Sequence, residues 1–437
     1  MDAFQAGALT LLLVAFFLGV GVWVFSGLLL VGICALTLVL DYPLDRIGNI
    51  LKGIMWRSAS SWELSAIPLF ILMGEIIFRT DLSERIFRGL SPWLNWLPGR
   101  LLHTNIVGCT LFAAVSGSSA ATTATIGKIT AEALRERHYN PELAIGSLAG
   151  AGSLGLLIPP SIVMIIYGIL AEVSIARLFA AGILPGLMVA GLYSGYIVLR
   201  GLLNPAVAPD AGRRFGLGDR LRGLLDLLPV GALVVVVLGG IYSGIATPSE
   251  AAALGCAGAV VLTLLMRQLT WAILREALVG TVVTSSMIVS IVVSAAFLSS
   301  AMAYVHLPQD LAAAIAGFEL GPYGLILVLA IFYILLGLFL DGFSITVMSL
   351  PITLPLILQA GWDPLWFGVF LVIMVELAQI TPPIGFNLFV LQGLTGKDLM
   401  TIARASLPFF LLLCAAVVLL TLVPGIATWL PSAMTQH

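Results

Sequence analysis

One carboxylate stands alone in the stretch GLFLDGFSITVMSLPITLP, residues 337–355. Asp341 is the only acidic, basic or imidazole side chain between Gly321 and Trp362. An unpaired carboxylate at membrane depth is expensive, so an ionisable residue there marks an ion or proton pathway by default. No His, Lys or Arg lies within 20 residues on either side. A cation ligand or a proton carrier fits this setting, unless a partner arrives from elsewhere in the fold. The alternative, a side chain exposed in an extracytoplasmic loop, requires both flanking apolar runs to cross the membrane fully.

A second polar cluster is Ser116-Gly117-Ser118-Ser119, followed by Thr122, Thr123 and Thr125. A helix starting there would aim free N–H groups and its positive dipole end at an anion. The carbonyls that end the preceding arm are oxygen ligands for a hard cation. A carboxylate substrate beside Na⁺ suits such a site. The competing reading is close helix packing through small residues, and AATTATIG (120–127) is partly that.

Two proline pairs add freed backbone. In LLIPPSIVMIIYG, Pro159 and Pro160 remove two donors and push the residues before them to extended geometry. The helix must unwind near Ile158–Ser161, and lipid cannot satisfy the carbonyls it frees. Pro382 and Pro383 repeat the argument over Thr381–Gly385, with Asn387 one step beyond. A plain proline kink is the simpler alternative at either place. Glu250, in TPSEAAALG, reads as a helix cap, and Glu376 reads as structural.

These residues need elements to hold them. Of 437 residues 60% are hydrophobic and 10% charged, against about 25% charged in a soluble domain. The chain is therefore an all-α polytopic membrane protein, with apolar sequence for about ten or more crossings of some 20 residues each. A net charge of −2 gives no reason to expect a nucleic-acid partner. Cys34, Cys109, Cys256 and Cys414 lie in apolar runs and read as small apolar residues. The first apolar run, from Ala6, has no basic leader and reads as a retained segment.

The Arg-rich segment 200–223 divides the chain and belongs in the cytoplasm by the positive-inside rule. Across it, Pro141, Pro159, Pro160 and Pro185 map onto Pro364, Pro382, Pro383 and Pro408 at one constant offset of 223. Residues 1–199 then form one repeat, with a hairpin at about 104–134 and a broken helix at about 143–170. Residues 224–437 form the other, with a hairpin at about 324–358 and a broken helix at about 365–393. The hairpin arms around SGSS (116–119) are short for a crossing, which favours a re-entrant pair. Arg100, Arg135 and Arg137 put both ends of that hairpin on the cytoplasmic side. The second hairpin, around DGFS (341–344), is flanked by Glu319 and Asp363 without a cation, so its ends read as extracytoplasmic. The halves are expected to be inverted, a construction plan of secondary transporters. Arg46, Lys52 and Arg57 disagree with the alternation, which places them outside.

Taken in order, SGSSAATTATIG, LLIPPSIVMIIYG, LFAAGILPGLM, YSGIATPSEAAALG, FLDGFSITVMSLPITLPL and ITPPIGFNLFVLQG resemble the large membrane (M) subunit of tripartite ATP-independent periplasmic (TRAP) transporters. The resemblance spans nearly the whole chain. It implies two inverted repeats of the ion-transporter type, an elevator mechanism and Na⁺ symport of an organic acid. It also implies a periplasmic substrate-binding protein and a separate small four-helix membrane subunit as partners, in the bacterial inner membrane. One Na⁺ site would join Ser116, Gly117 and Ser118 to Pro159 and Ser161. The other would join Asp341, Gly342 and Ser344 to Thr381, Pro382 and Gly385. Substrate would sit between the tips, within reach of Ser116, Ser118, Ser119, Thr122, Ser161, Ser344 and Asn387.

The nearest rival is a stand-alone Na⁺/carboxylate symporter of the same broad fold. An intramembrane enzyme is more distant. His103, His138, His306 and His437 are scattered, with no H-E-x-x-H, and Asp341 has no second intramembrane aspartate for an acid pair.

Overall fold

Pro141 and Pro364 each open a helix at its first position, where a missing N–H costs nothing. Each is preceded by a side-chain cap: Asn140 accepts from Leu143 N–H, and Asp363 accepts from the N–H groups of Leu365 and Trp366. The same offset of 223 recurs one element earlier. Helices start at Ser119 and Gly342 and end at Glu136 and Gln359, capped by Ser118 and Asp341. Ser118 is thus the positional counterpart of Asp341.

The computed structural model describes residues 20–209, 215–306, 321–383 and 385–434, with positions 9, 12, 13, 16 and 17. Arg213, Arg214, Glu319 and His437 lie outside the described residues. Among the described residues there are 18 α-helices and no strand. The first half holds α1 (Val24–Leu40), α2 (Leu44–Ala59), α3 (Ala66–Phe78), α4 (Leu82–Leu94), α5 (Leu102–Ser116), α6 (Ser119–Glu136), α7 (Pro141–Gly152), α8 (Ile162–Leu170) and α9 (Ile175–Leu203). The second holds α10 (Leu217–Tyr242), α11 (Pro248–Leu265), α12 (Trp271–Tyr304), α13 (Pro322–Gly337), α14 (Gly342–Gln359), α15 (Pro364–Gln379), α16 (Phe386–Thr395), α17 (Leu399–Leu422) and α18 (Gly425–Met434). By length and composition six of them can cross a membrane: α9, α10, α11, α12, α14 and α17.

The outer helices α10 and α12 expose Leu221, Leu225, Val235, Val279 and Val283. Apolar surface on that scale is stable only against lipid or another chain. At the centre, α15 is buried from Leu365 to Ala378, the signature of a helix that is apolar all round. It is fixed by hydrogen bonds as well as by packing. Trp366 Nε1 donates to Leu420 O at 2.9 Å, and the Tyr167 hydroxyl donates to Pro364 O at 2.6 Å. The halves interlock around it, α7 against α17, α6 against α16 and α8 against α14.

Two local readings resolve here. Thr247 and Glu250 form a reciprocal capping box at the start of α11, the helix start expected from TPSE. Arg46, Lys52 and Arg57 are exposed on α2, whose opposite side carries buried Ile47 and half-buried Ile50, Leu51 and Ile54. This amphipathic helix is bent by 54° from the helical segment Trp62–Phe78 that follows it. Cations on the polar face of such a helix follow its own amphipathicity, a constraint separate from the charge bias of a short loop.

Candidate functional site

The first tip forms because α5 cannot continue through Gly117. That residue is left-handed, with φ +59°, and its N–H returns to Ala113 O at 3.0 Å. A Cβ on it would lie 2.8 Å from Pro160 O, so the tip sits directly on the first proline break. Ser118 then caps α6, its Oγ accepting from Ala121 N–H at 3.4 Å. Thr122 donates to Ser118 O at 2.7 Å, and Ser116 Oγ lies 2.9 Å from Thr122 Oγ1. Ser116 and Thr122 are buried and engage each other.

The first break runs from Ser153 to Ser161 between α7 and α8, with every residue buried. Non-helical backbone at this depth is tolerated only inside protein or along a cavity. A Cβ on Gly155 would lie 2.5 Å from Ser119 Cα and 2.7 Å from Ser118 O. Break and tip are therefore in backbone contact. Ser161, fully buried, caps α8 through Met164 N–H at 3.4 Å.

At the second tip Asp341 is exposed and caps α14. Its Oδ2 accepts from Phe343 N–H at 3.0 Å and Ser344 N–H at 3.4 Å, and its Oδ1 accepts from the Ser344 hydroxyl. A Cβ on Gly342 would press on Val375 Cγ1 at 2.5 Å, with Gln379 Nε2 at 3.2 Å. The second tip thus rests on the last turns of α15. The second break follows at once, where Thr381 donates to Leu377 O at 2.6 Å. Gly385 has the carbonyls of Gln379 and Thr381 each 2.8 Å from where a Cβ would stand. Both proline pairs, Pro159-Pro160 and Pro382-Pro383, are cis.

The two caps open onto one cavity of about 370 Å³, lined by Ser118, Ser119, Asp341, Gly342, Ser344 and Gln379. Trp23 and Phe25 at the start of α1, and Met287 and Ile291 on α12, also belong to its lining. Two helix N-termini, those of α6 and α14, converge on this space; that of α14 is already met by the Asp341 carboxylate. Of the residues expected from sequence, Ser118, Ser119, Asp341, Gly342 and Ser344 meet here. Ser116, Gly117, Thr122, Pro159 and Ser161 lie behind the first tip, and Thr381, Pro382 and Gly385 lie at the second break. Two larger cavities, of about 700 Å³ and about 750 Å³, touch neither tip.

Sequence reasoning missed Gln379, and it read Glu376 as structural without its partners. Gln379 reaches the cavity, and its Oε1 is buried without a partner. Glu376 is fully buried; its Oε1 accepts from Leu156 N–H at 2.8 Å and its Oε2 lies 2.9 Å from Ser119 Oγ. Asn387 Nδ2 donates to the same Ser119 Oγ at 2.7 Å, and Gly152 O is 3.0 Å from it. Ser119 and Asn387 are thereby joined, although 268 residues apart. The signal was available: Glu376 is as isolated between Asp363 and Lys397 as Asp341 is in its own run.

The sequence model described as "Tripartite ATP-independent periplasmic transporter, DctM component" matches residues 9–426. The chain belongs to this family. As a DctM-type permease it is a transporter subunit, not an enzyme, and a multi-pass membrane protein. It is 32% identical over 401 residues to the C4-dicarboxylate TRAP transporter large permease protein DctM of Pseudomonas aeruginosa, covering 91% of this chain and 92% of that one. It is 31% identical over 418 residues to the isethionate TRAP transporter permease protein DctMQ of Oleidesulfovibrio alaskensis, covering 94% of this chain and 64% of that longer one. Among solved structures the Alcanivorax borkumensis YdaH transporter is similar in fold, with a TM-score of 0.61, 17% identity and coverage of 89% and 90%.

Proposed function

We propose that this DctM-type permease imports an organic acid by Na⁺ symport, as the large subunit of a binding-protein-dependent transporter in the bacterial inner membrane. The observation that carries the reading is the shared cavity, where the capped starts of α6 and α14 face each other across a space sized for a small organic anion. The names of the relatives above, C4-dicarboxylate and isethionate, are both of small organic anions. The dipole end of α6 favours anionic substrate there, and hydroxyls of Ser118 and Ser344 supply further hydrogen bonds.

Na⁺ is assigned to the two tip–break junctions. Gly117 against Pro160 O brings tip and freed carbonyls of the first half together, with the Ser161 hydroxyl beside them. In the second half Asp341 and Ser344 supply the charged and hydroxyl oxygens, and Thr381 to Gly385 the backbone ones. Hard oxygen donors of this kind suit an alkali cation. The common offset of helix starts supports two repeats. The opposite charge signs at their hairpin ends support inversion, and hence elevator-like movement of the tips against the outer helices.

Ser161→Ala separates this reading from a plain kink. The cap bond at 3.4 Å is long for N–H···O, so stability should fall by less than the usual ~1 kcal/mol for a lost cap. The Na⁺ concentration for half-maximal uptake should rise several-fold in proteoliposomes. An unchanged Na⁺ response would leave Ser161 with a capping role only.

A small membrane subunit and a periplasmic binding protein complete the proposed system. The stand-alone symporter differs in one measurable way. Proteoliposomes holding this chain with its small subunit should take up substrate only when the loaded binding protein is outside. Comparable uptake from free substrate by this chain alone would replace the tripartite reading.

A further inference from the structure

The contacts around Ser119 contain one hydrogen too few if Glu376 is ionised. Ser119 Oγ has a single O–H, yet two oxygens lie within bonding distance, Glu376 Oε2 at 2.9 Å and Gly152 O at 3.0 Å. Asn387 Nδ2, at 2.7 Å, adds a donor and so fills a lone pair of Ser119 rather than relieving the shortage. With a carboxylate at 376, either Gly152 O or Oε2 would face a Ser119 lone pair with no hydrogen between them. Exchanging the two ends of the Asn387 amide, which heavy-atom positions alone do not distinguish, adds a third acceptor and deepens the shortage.

A proton on Oε2 closes the set. Glu376 Oε2–H then donates to Ser119 Oγ, Ser119 O–H donates to Gly152 O, and Asn387 N–H fills the remaining lone pair of Ser119. Leu156 N–H, at 2.8 Å, already occupies Oε1 as a carbonyl-like acceptor. Every contact has one hydrogen and one lone pair.

The surroundings supply no countercharge. Among the described residues the carboxylates in ion pairs are Glu75, Glu132, Asp226 and Glu276, and Glu376 is in none. The helices packed against α15 contribute Tyr167 (α8), Tyr193 and Tyr196 (α9), Tyr323 and Tyr333 (α13) and Cys414 (α17), all neutral at pH 7 at their ordinary values. Tyr193 is bonded to Ser153, immediately after Gly152. The charged groups on these elements, Arg177, Arg200, Arg404 and the caps Asp341, Asp363 and Asp398, lie toward helix ends. An uncompensated buried carboxylate is far costlier than the neutral acid.

We propose that Glu376 is a proton-binding site whose bound proton is donated to Ser119, latching the tip of the first hairpin to the central helix of the other half. The inference goes beyond the transport reading and rests on this chain alone. Glu376 acts here as a positioning residue, holding Ser119 and, through Leu156, the first break.

The test is made on the purified complex of this chain and its small subunit in lipid. Glu376→Gln reproduces the protonated pattern, with its carbonyl toward Leu156 and its N–H₂ toward Ser119. It should melt within about 2 °C of the wild type. Glu376→Ala strands Leu156 N–H and removes the donor to Ser119 Oγ, and should melt about 5 °C or more lower. The infrared difference between wild type and Glu376→Gln at pH 7 should contain the C=O band of a protonated carboxylic acid, shifting in D₂O. A Glu376→Gln variant as unstable as Glu376→Ala, an alanine variant as stable as wild type, or carboxylate bands in place of the acid band would each overturn the proposal.

Discussion

Asp341→Asn is expected to abolish Na⁺-driven uptake while leaving α14 in place. Asn caps a helix about as well as Asp, so the N–H groups of Phe343 and Ser344 keep an acceptor. Shape and capping survive; the negative charge does not. Among the described residues Asp341 is the only carboxylate lining the cavity between the tips. If it neutralises a cation during transport, initial uptake in proteoliposomes should fall by about 100-fold or more, with melting within about 2 °C of wild type. A variant that transports at wild-type rates would reduce Asp341 to a helix cap. Asp341→Ala is the less informative change, because it removes charge and cap together.

Gly155→Ala carries the second large effect. The added Cβ meets Ser119 Cα at 2.5 Å, and Ser118 O and Ser119 N at 2.7 Å each, all backbone atoms. No side chain can rotate away to admit it, so the first tip must retreat by about an ångström from the break. Displacements of that size in a positioned site cost about 100-fold in rate. Uptake should drop accordingly while the complex still assembles. Gly191→Ala on α9 is the matched control, since nothing lies within 4 Å of its Cβ position. Near-normal uptake in Gly155→Ala would show that the contact of tip and break is not needed for transport.

Much of this site was readable because its devices are local. Proline pairs free backbone wherever they stand, and Pro159-Pro160 and Pro382-Pro383 do so between α7 and α8 and between α15 and α16. Ser118 and Asp341 lie where an apolar run is interrupted by residues that cap helices, and both cap one. The Thr247–Glu250 box is likewise contained in four consecutive residues. What escaped the sequence depends on distant partners. Glu376 takes its meaning from Ser119, 257 residues away, and from Leu156, 220 residues away. Within its own helix its neighbours are apolar, apart from Gln379 one turn on. Gln379 reads as an ordinary helix-end amide until the second tip lies against it. Asn387 is fully buried and bonded to Ser119, a partner 268 residues away that its own surroundings do not announce. The cations of α2, which the alternation left unexplained, sit on a helix of their own. Counting charges in a connection ignores that the connection is itself an amphipathic helix.

The two halves also spend their polar residues differently. The first tip is rich in hydroxyls, several committed to one another: Ser116 with Thr122, and Thr122 with Ser118 O. The second tip has a single carboxylate exposed toward the cavity. On the proposed Na⁺ assignment, coordination in the first half would therefore lean on carbonyls around Pro160, and in the second on charge. Neutralising Asp341 should thus be far more damaging than removing the Ser161 hydroxyl.

The most direct measurement is substrate accumulation in proteoliposomes containing this chain and its small subunit, with the loaded binding protein outside. An inward Na⁺ gradient is imposed and then collapsed with a sodium ionophore. Accumulation above the external free concentration while the gradient stands, followed by efflux once it is collapsed, is the expected result. Equal accumulation with Na⁺ absent, or its persistence after collapse, would contradict Na⁺ symport through the paired tips.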